Sequence, residues 1–139
     1  LAKISGPLLD RIDLHVEVAP VSFTELSSEA VQESSKTIRE RVRSVRETQN
    51  IRFDKKKKNR NNANMNKVEI NTFCKLSKDS LELLELAMNR LNLSARAYDR
   101  ILKVARTIAD MDSKKDIQQN HIAEAIQYRA LDKMNQYLA

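Results

Sequence analysis

Two arginines stand where the folding of this chain does not ask for them. "LSARAYDR" (93–100) reads as the start of a helix, with Ser94 as N-cap and Arg96 as the second helical residue. The partial positive charge of a helix N-terminus favours Asp or Glu there and disfavours an arginine by roughly 0.3–1 kcal/mol. The free N–H groups of the same end form an anion site. A phosphate held beside Arg96 would resolve the conflict; an exposed arginine that tolerates its position is the other reading. Arg11, in "GPLLDRIDLHVEV" (6–18), opens a strand pattern and so lies at one end of a sheet, close to where ligands bind in α/β proteins. Local pairing with Asp10 and Asp13 is the alternative for it. Arg39, Arg43 and Arg46 recur at i, i+4 and i+7 along a helix, either as a solvated flank or as an edge facing phosphate. Lys55, Lys56, Lys57 and Lys58 form a basic run that could touch nucleic acid, although a run of this kind is more commonly a soluble connector.

Other chemistries find little support. Cys74 is the one cysteine, which excludes an internal disulfide and suits a reducing, cytoplasmic setting; a free buried thiol is its plain reading. His15 and His121 are far apart, so no metal-ligand cluster is expected. Gly6 is the only glycine, so the chain has no glycine-rich phosphate loop, nor any Walker-type lysine motif. By itself it should not bind ATP. No apolar run approaches the ~20 residues of a membrane span, and no signal-peptide pattern is present.

The elements that must position these arginines are helical. Among 139 residues there are 1 Gly and 2 Pro, too few for a turn-rich sheet protein, and 32% of residues are charged. The net charge of +6 is compatible with nucleic acid but shared by many soluble domains. Ile12, Leu14, Val16 and Val18 alternate with Asp13, His15 and Glu17, the only convincing strand, and nothing downstream offers it a partner. That orphan strand, and a first residue that is not methionine, suggest a piece cut from a longer protein. A helix is expected over 28–49, with Val31, Ile38, Val42 and Val45 on its apolar face. The Lys/Asn-rich stretch 54–66 reads as a flexible loop that contributes nothing to a core. A short turn over 68–73 returns Ile70 and Phe73 to the core. Ser77 caps a helix over 76–92 with Leu81, Leu84, Met88 and Leu91 on one face and Asn92 as a left-handed stop. After Ser94, residues Tyr98, Ile101, Leu102, Ala105, Ile108 and Ala109 make the buried stripe of the next helix, and Ile122, Ala125 and Ile126 that of a last one over 118–130, which 131–139 would extend.

"SGPLLDRIDLHVEV", "LSARAYDRILKVARTIADMD" and "HIAEAIQYRALD", in that order, resemble the C-terminal part of magnesium-chelatase-like AAA+ ATPases of the ComM/YifB type. The resemblance covers nearly the whole chain outside 50–66. It implies a mainly α fold: an AAA+ helical lid bundle over 21–139, preceded over 1–20 by the last strand of a nucleotide-binding core whose Walker motifs lie elsewhere. Arg11 then resembles an arginine finger acting in trans, and Arg96 a sensor 2 arginine acting in cis or in trans. The implied cofactors, in the full-length protein, are ATP and Mg²⁺. The implied partners are the chain's own AAA+ core, neighbouring subunits of a ring, a hexamer, and DNA. The function implied is DNA remodelling (helicase or branch migration, natural transformation), with Arg39, Arg43, Arg46 and Lys55–Lys58 as DNA contacts. A magnesium chelatase subunit and a free-standing helical adaptor are the alternatives, ranked below it. Within the fragment, residues 1–20 are expected to be poorly anchored.

Overall fold

A computed structural model describes residues 8, 11–21, 23, 33–53 and 60–129. They form five α-helices and one 3₁₀ turn: α1 (Ser35–Arg52), the turn Asn62–Asn64, α2 (Lys67–Phe73), α3 (Lys78–Arg90), α4 (Ala95–Met111) and α5 (Gln119–Gln127). The expectation of a mainly helical bundle holds. Helix α4 is its axis: α5, α1, α2 and the 3₁₀ turn all pack on it, and α3 packs on α5.

Local chemistry sets the helix ends. The side chains of Ser34, Asn66, Ser77 and Ser94 each accept a hydrogen bond from the backbone N–H three residues on, satisfying an otherwise orphaned donor. Asn92 adopts φ 45°, and Leu93 N–H reaches Met88 O at 3.0 Å, the i+5 closure that stops α3. Ser113, at φ 55°, stops α4 in the same way through Lys114 N–H to Ala109 O at 2.8 Å. Replacing Ser94 by alanine should cost about 1 kcal/mol, read as a lower urea midpoint by circular dichroism with the slope unchanged.

The core gathers Ile70, Leu84, Ile101, Leu102, Ala105, Ala109, Ile117, Ile122 and Ala125, all buried. Three expectations are corrected here. Helix α1 starts at Ser35, residues 28–32 with Val31 lie outside the described residues, and among the described members of its apolar stripe Val45 is buried while Ile38 and Val42 are exposed. Leu81 is exposed too; Leu84 takes the inner face of α3 as expected, and Ser80 joins it there. Part of the expected loop belongs to the packed fold: Met65 lies within the core and Asn62 is buried, while Ala63, Asn64 and Asn66 are exposed. Only 54–59 of that loop lie outside the described residues.

Asn62 can be buried because its polar atoms are paired, as burial of an amide requires. Its amide nitrogen donates to Thr107 Oγ1 (3.0 Å) and Asp110 Oδ2 (2.9 Å), and its oxygen accepts from Arg52 Nη1 (2.8 Å). Asp110 is the hub of this network. It receives both Nη atoms of Arg52 (2.7 and 2.5 Å) and Nε of Arg106 (3.1 Å). The remaining Arg106 nitrogens donate to the carbonyls of Lys115 (2.7 Å) and Lys114 (2.6 Å). Neither Arg106 nor Asp110 was singled out from the sequence, although both continue the line of Leu102 along α4 at intervals of four residues.

The strand expected over 12–18 is not paired: residues 14–21 carry no regular secondary structure, and no sheet exists among the described residues. A lone strand has no ladder to join. The alternation does not carry over into burial, since Asp13 and Glu17 are exposed as well. Ile12, Leu14, Val16 and Val18 are exposed, while His15 is buried.

Candidate functional site

Arg96 lies where the sequence puts it, in the first turn of α4, directly after Ala95. The Ser94 hydroxyl takes the Ala97 N–H at 3.2 Å, and the first turn carries no acidic residue. Arg96 is exposed and, among the described residues, its side chain makes no hydrogen bond or ion pair. One helix end therefore presents oriented N–H dipoles and a guanidinium together, a combination suited to an oxyanion. The residues behind it are tied down: Lys67 Nζ meets Asp99 Oδ1 at 2.5 Å and stands 5.5 Å from the ring centroid of Tyr98.

Arg11 is also exposed, and its side chain is not paired among the described residues. Its N–H closes a turn onto Leu8 O at 3.0 Å. The local pairing considered for Arg11 is not made by Asp13, whose carboxylate is ion-paired with Arg100 of α4 instead. Asp10 lies outside the described residues. Arg100 is four residues beyond Arg96, so the two share a face of α4. The segment that carries Arg11 thus docks one helical turn from Arg96.

Two further contacts hold that segment. His15 N–H donates to Tyr128 O at 2.8 Å, and Arg129, fully buried after α5, donates through Nη1 to Ile12 O. The expectation that residues 1–20 are poorly anchored is therefore corrected for 12–15. Three lid residues, far away in sequence, supply the partners, and no periodicity could announce them.

The other basic candidates separate. Arg39, Arg43 and Arg46 are all exposed along α1 and keep their side chains to themselves among the described residues, whereas Arg41 is paired with Glu33 at 2.9 Å. Arg46 rims an apolar groove of about 280 Å³ with Val42, Val45, Thr107 and Met111. Lys55, Lys56, Lys57 and Lys58 lie outside the described residues. Cys74 is buried beside Met65 (Sγ to Sδ 3.9 Å), and burial pushes its thiol up to about 11, so it stays protonated and is no nucleophile at neutral pH. His121 Nδ1 accepts from Gln118 N–H at 3.0 Å and Nε2 meets Asp112 Oδ2 at 3.0 Å, which makes it a helix cap with an oriented ring. Among the described residues no three His, Cys, Asp or Glu side chains gather to hold a metal ion, and no helix is long and apolar enough to cross a membrane.

Known proteins resemble this chain in sequence. The chain is 44% identical over 140 residues to "Competence protein ComM" of Haemophilus influenzae, covering all of this chain and 26% of that protein. It is 44% identical over 135 residues to "Uncharacterized protein YifB" of Escherichia coli, covering 96% of this chain and 26% of that one. An uncharacterised protein of Mycobacterium bovis matches at 33% over 129 residues, 25% of its length. The chain thus spans about a quarter of the length of these relatives. Residues 32–129, nearly all of the helical part, match the family described as "Magnesium chelatase, subunit ChlI C-terminal", and the chain belongs to that family.

Proposed function

We propose that this chain is the lid of a cytoplasmic AAA+ motor that couples ATP hydrolysis in a ring to the remodelling of DNA. The observation that carries the reading is Arg96: an exposed guanidinium without a partner among the described residues, at a helix N-terminus that has no acidic residue to neutralise it. It serves as the sensor 2 arginine, binding the nucleotide phosphates and moving the lid as their charge changes. Arg11 serves as the arginine finger. Phosphoryl transfer spreads charge over the γ-phosphate oxygens, and a planar guanidinium that holds two of them at once stabilises that charge better than an ammonium does. Mg²⁺ bound with ATP would supply charge neutralisation at the phosphates, and Arg11 and Arg96 would add guanidinium charge there. A finger supplied by a neighbour makes hydrolysis depend on assembly, which favours a closed ring, a hexamer.

The Asp13–Arg100 pair docks the backbone just after Arg11 one turn from Arg96. That juxtaposition supports both arginines addressing one nucleotide, the neighbouring subunit's. DNA as the substrate draws on the exposed row Arg39, Arg43 and Arg46, on the Lys55–Lys58 run, and on the competence named in the Haemophilus relative. Insertion of Mg²⁺ into a porphyrin is the second reading, favoured by the family's description as a magnesium chelatase subunit.

The test is ATP hydrolysis by the complete protein, with and without forked DNA, for wild type and Arg96→Ala. DNA should stimulate the wild type, with a steep loss as salt rises, and the substitution should remove turnover. Turnover indifferent to DNA would leave an ATPase with another substrate. Normal hydrolysis by Arg96→Ala would make that arginine a tolerated surface residue.

A further inference from the structure

Three contacts on the lid converge on four consecutive residues just after Arg11. The Arg100 guanidinium pairs with Asp13, Arg129 donates to the carbonyl of Ile12, and Tyr128 accepts from the N–H of His15. They differ in kind. Arg129 is fully buried and His15 is buried against the lid, so this half of the contact belongs to the packed fold. Arg100 and Asp13 keep 28% and 47% of their side chains in solvent, so their pair can open and close without exposing core. An exposed ion pair contributes little to stability, is weakened by salt, and is readily exchanged for another partner.

A contact of this kind is poorly suited to holding a fold and well suited to setting a position. Arg100 stands one turn after Arg96 on the same face of α4, and Asp13 stands two residues after Arg11. We propose that Arg100 is a positioning residue, which through Asp13 latches the segment bearing Arg11 to the helix bearing Arg96, so that the two arginines move as one unit. This rests on the reading of Arg11 and Arg96 given above and adds a regulatory element to it. While the latch is closed, a rotation of the lid carries Arg11 with it. When it opens, Arg96 keeps its place at the start of α4 while Arg11 loses its register.

Acting through Asp13 and not on the nucleotide, Arg100 on its loss should change turnover and not binding. A misplacement of about 1 Å at a reacting centre can cost on the order of 10²-fold in rate. In the complete protein, Arg100→Ala and Asp13→Ala should each lower kcat by about ten- to a hundredfold, with KM for ATP changed less than twofold and the melting temperature of the lid unchanged. The double variant should be no slower than either single one. The exchanged pair, Asp13→Arg with Arg100→Asp, should recover most of kcat, and Arg100→Lys part of it.

Amide hydrogen exchange supplies an independent readout. Arg100→Ala should speed exchange at residues 12–15 several-fold while leaving α4 as protected as before. Turnover by Arg100→Ala equal to wild type would overturn the latch. So would a failure of the exchanged pair to restore activity, since Arg100 would then be acting on the phosphates directly. A wild-type protein that hydrolyses no ATP would instead remove the functional reading, while faster exchange at 12–15 in Arg100→Ala would still show the latch.

Discussion

Asp110→Ala should destabilise the helical domain by about 3–5 kcal/mol, because it leaves two largely buried guanidiniums without their shared anion. The carboxylate is 1% exposed, Arg106 3% and Arg52 13%, so solvent cannot replace it. The damage spreads further than one ion pair. Asn62 loses an acceptor for its amide nitrogen, and Arg106, no longer held by its Nε, loses the fixed geometry that ties it to the carbonyls of Lys114 and Lys115. Urea unfolding at neutral pH, followed by circular dichroism, measures the effect. For a domain of about 100 residues, each kcal/mol is worth roughly 4–8 °C in Tm, so the variant should be largely unfolded near 40 °C if the parent melts near a typical mesophile value of about 55 °C. Replacing Arg52, Arg106 and Asp110 together by apolar residues of similar volume should recover much of the loss, since the desolvation of all three charges is removed with them. A shift below about 1 kcal/mol for Asp110→Ala would mean that water reaches the site and the network is ornamental.

Arg11→Ala carries the largest expected effect on activity. Under the proposed function it should lower kcat of the complete protein by about 10³-fold or more, the range seen when a trans-acting guanidinium is lost from a phosphoryl-transfer site. That corresponds to about 4 kcal/mol of transition-state stabilisation. Stability should not change, because Arg11 is exposed and its side chain makes no bond or ion pair among the described residues. A role in trans has a signature of its own. Mixing Arg11→Ala subunits with subunits that cannot bind ATP should restore turnover, because each supplies what the other lacks. Undiminished kcat in Arg11→Ala, or no recovery on mixing, would remove Arg11 from the neighbour's active site.

Much of the bundle was legible because the signals are local. A serine three residues before a free N–H, an asparagine able to adopt positive φ, and an apolar stripe at intervals of three and four need no distant partner. Ser77, Ser94, Asn92 and the face of α4 from Ile101 to Ala109 accordingly stand as read. The position of Arg96 was legible for the same reason: its oddity is a conflict between one side chain and the helix it starts.

What failed was burial that depends on residues far apart. Hydrophobic pattern counts apolar side chains, so a charged residue on the inner face is invisible to it. Arg106 and Asp110 are buried because Arg52 and Asn62, 58 and 48 residues from Asp110, complete their hydrogen bonds. The same network draws Asn62 inward and carries Met65 with it out of what composition marks as a solvated loop. Ile38, Val42 and Leu81 err in the other direction, apolar by type and helical by spacing but left exposed by the described residues.

By itself, then, the amino-acid order determined which segments become helices, where those capped by Ser77 and Ser94 begin, and that an unneutralised arginine stands at the head of α4. Only the tertiary structure decided that the segment just after Arg11 docks one helical turn from Arg96. That docking runs through Asp13 and Arg100, 87 residues apart, and an ion pair across such a separation exists only once packing has prepaid the entropy of bringing its ends together.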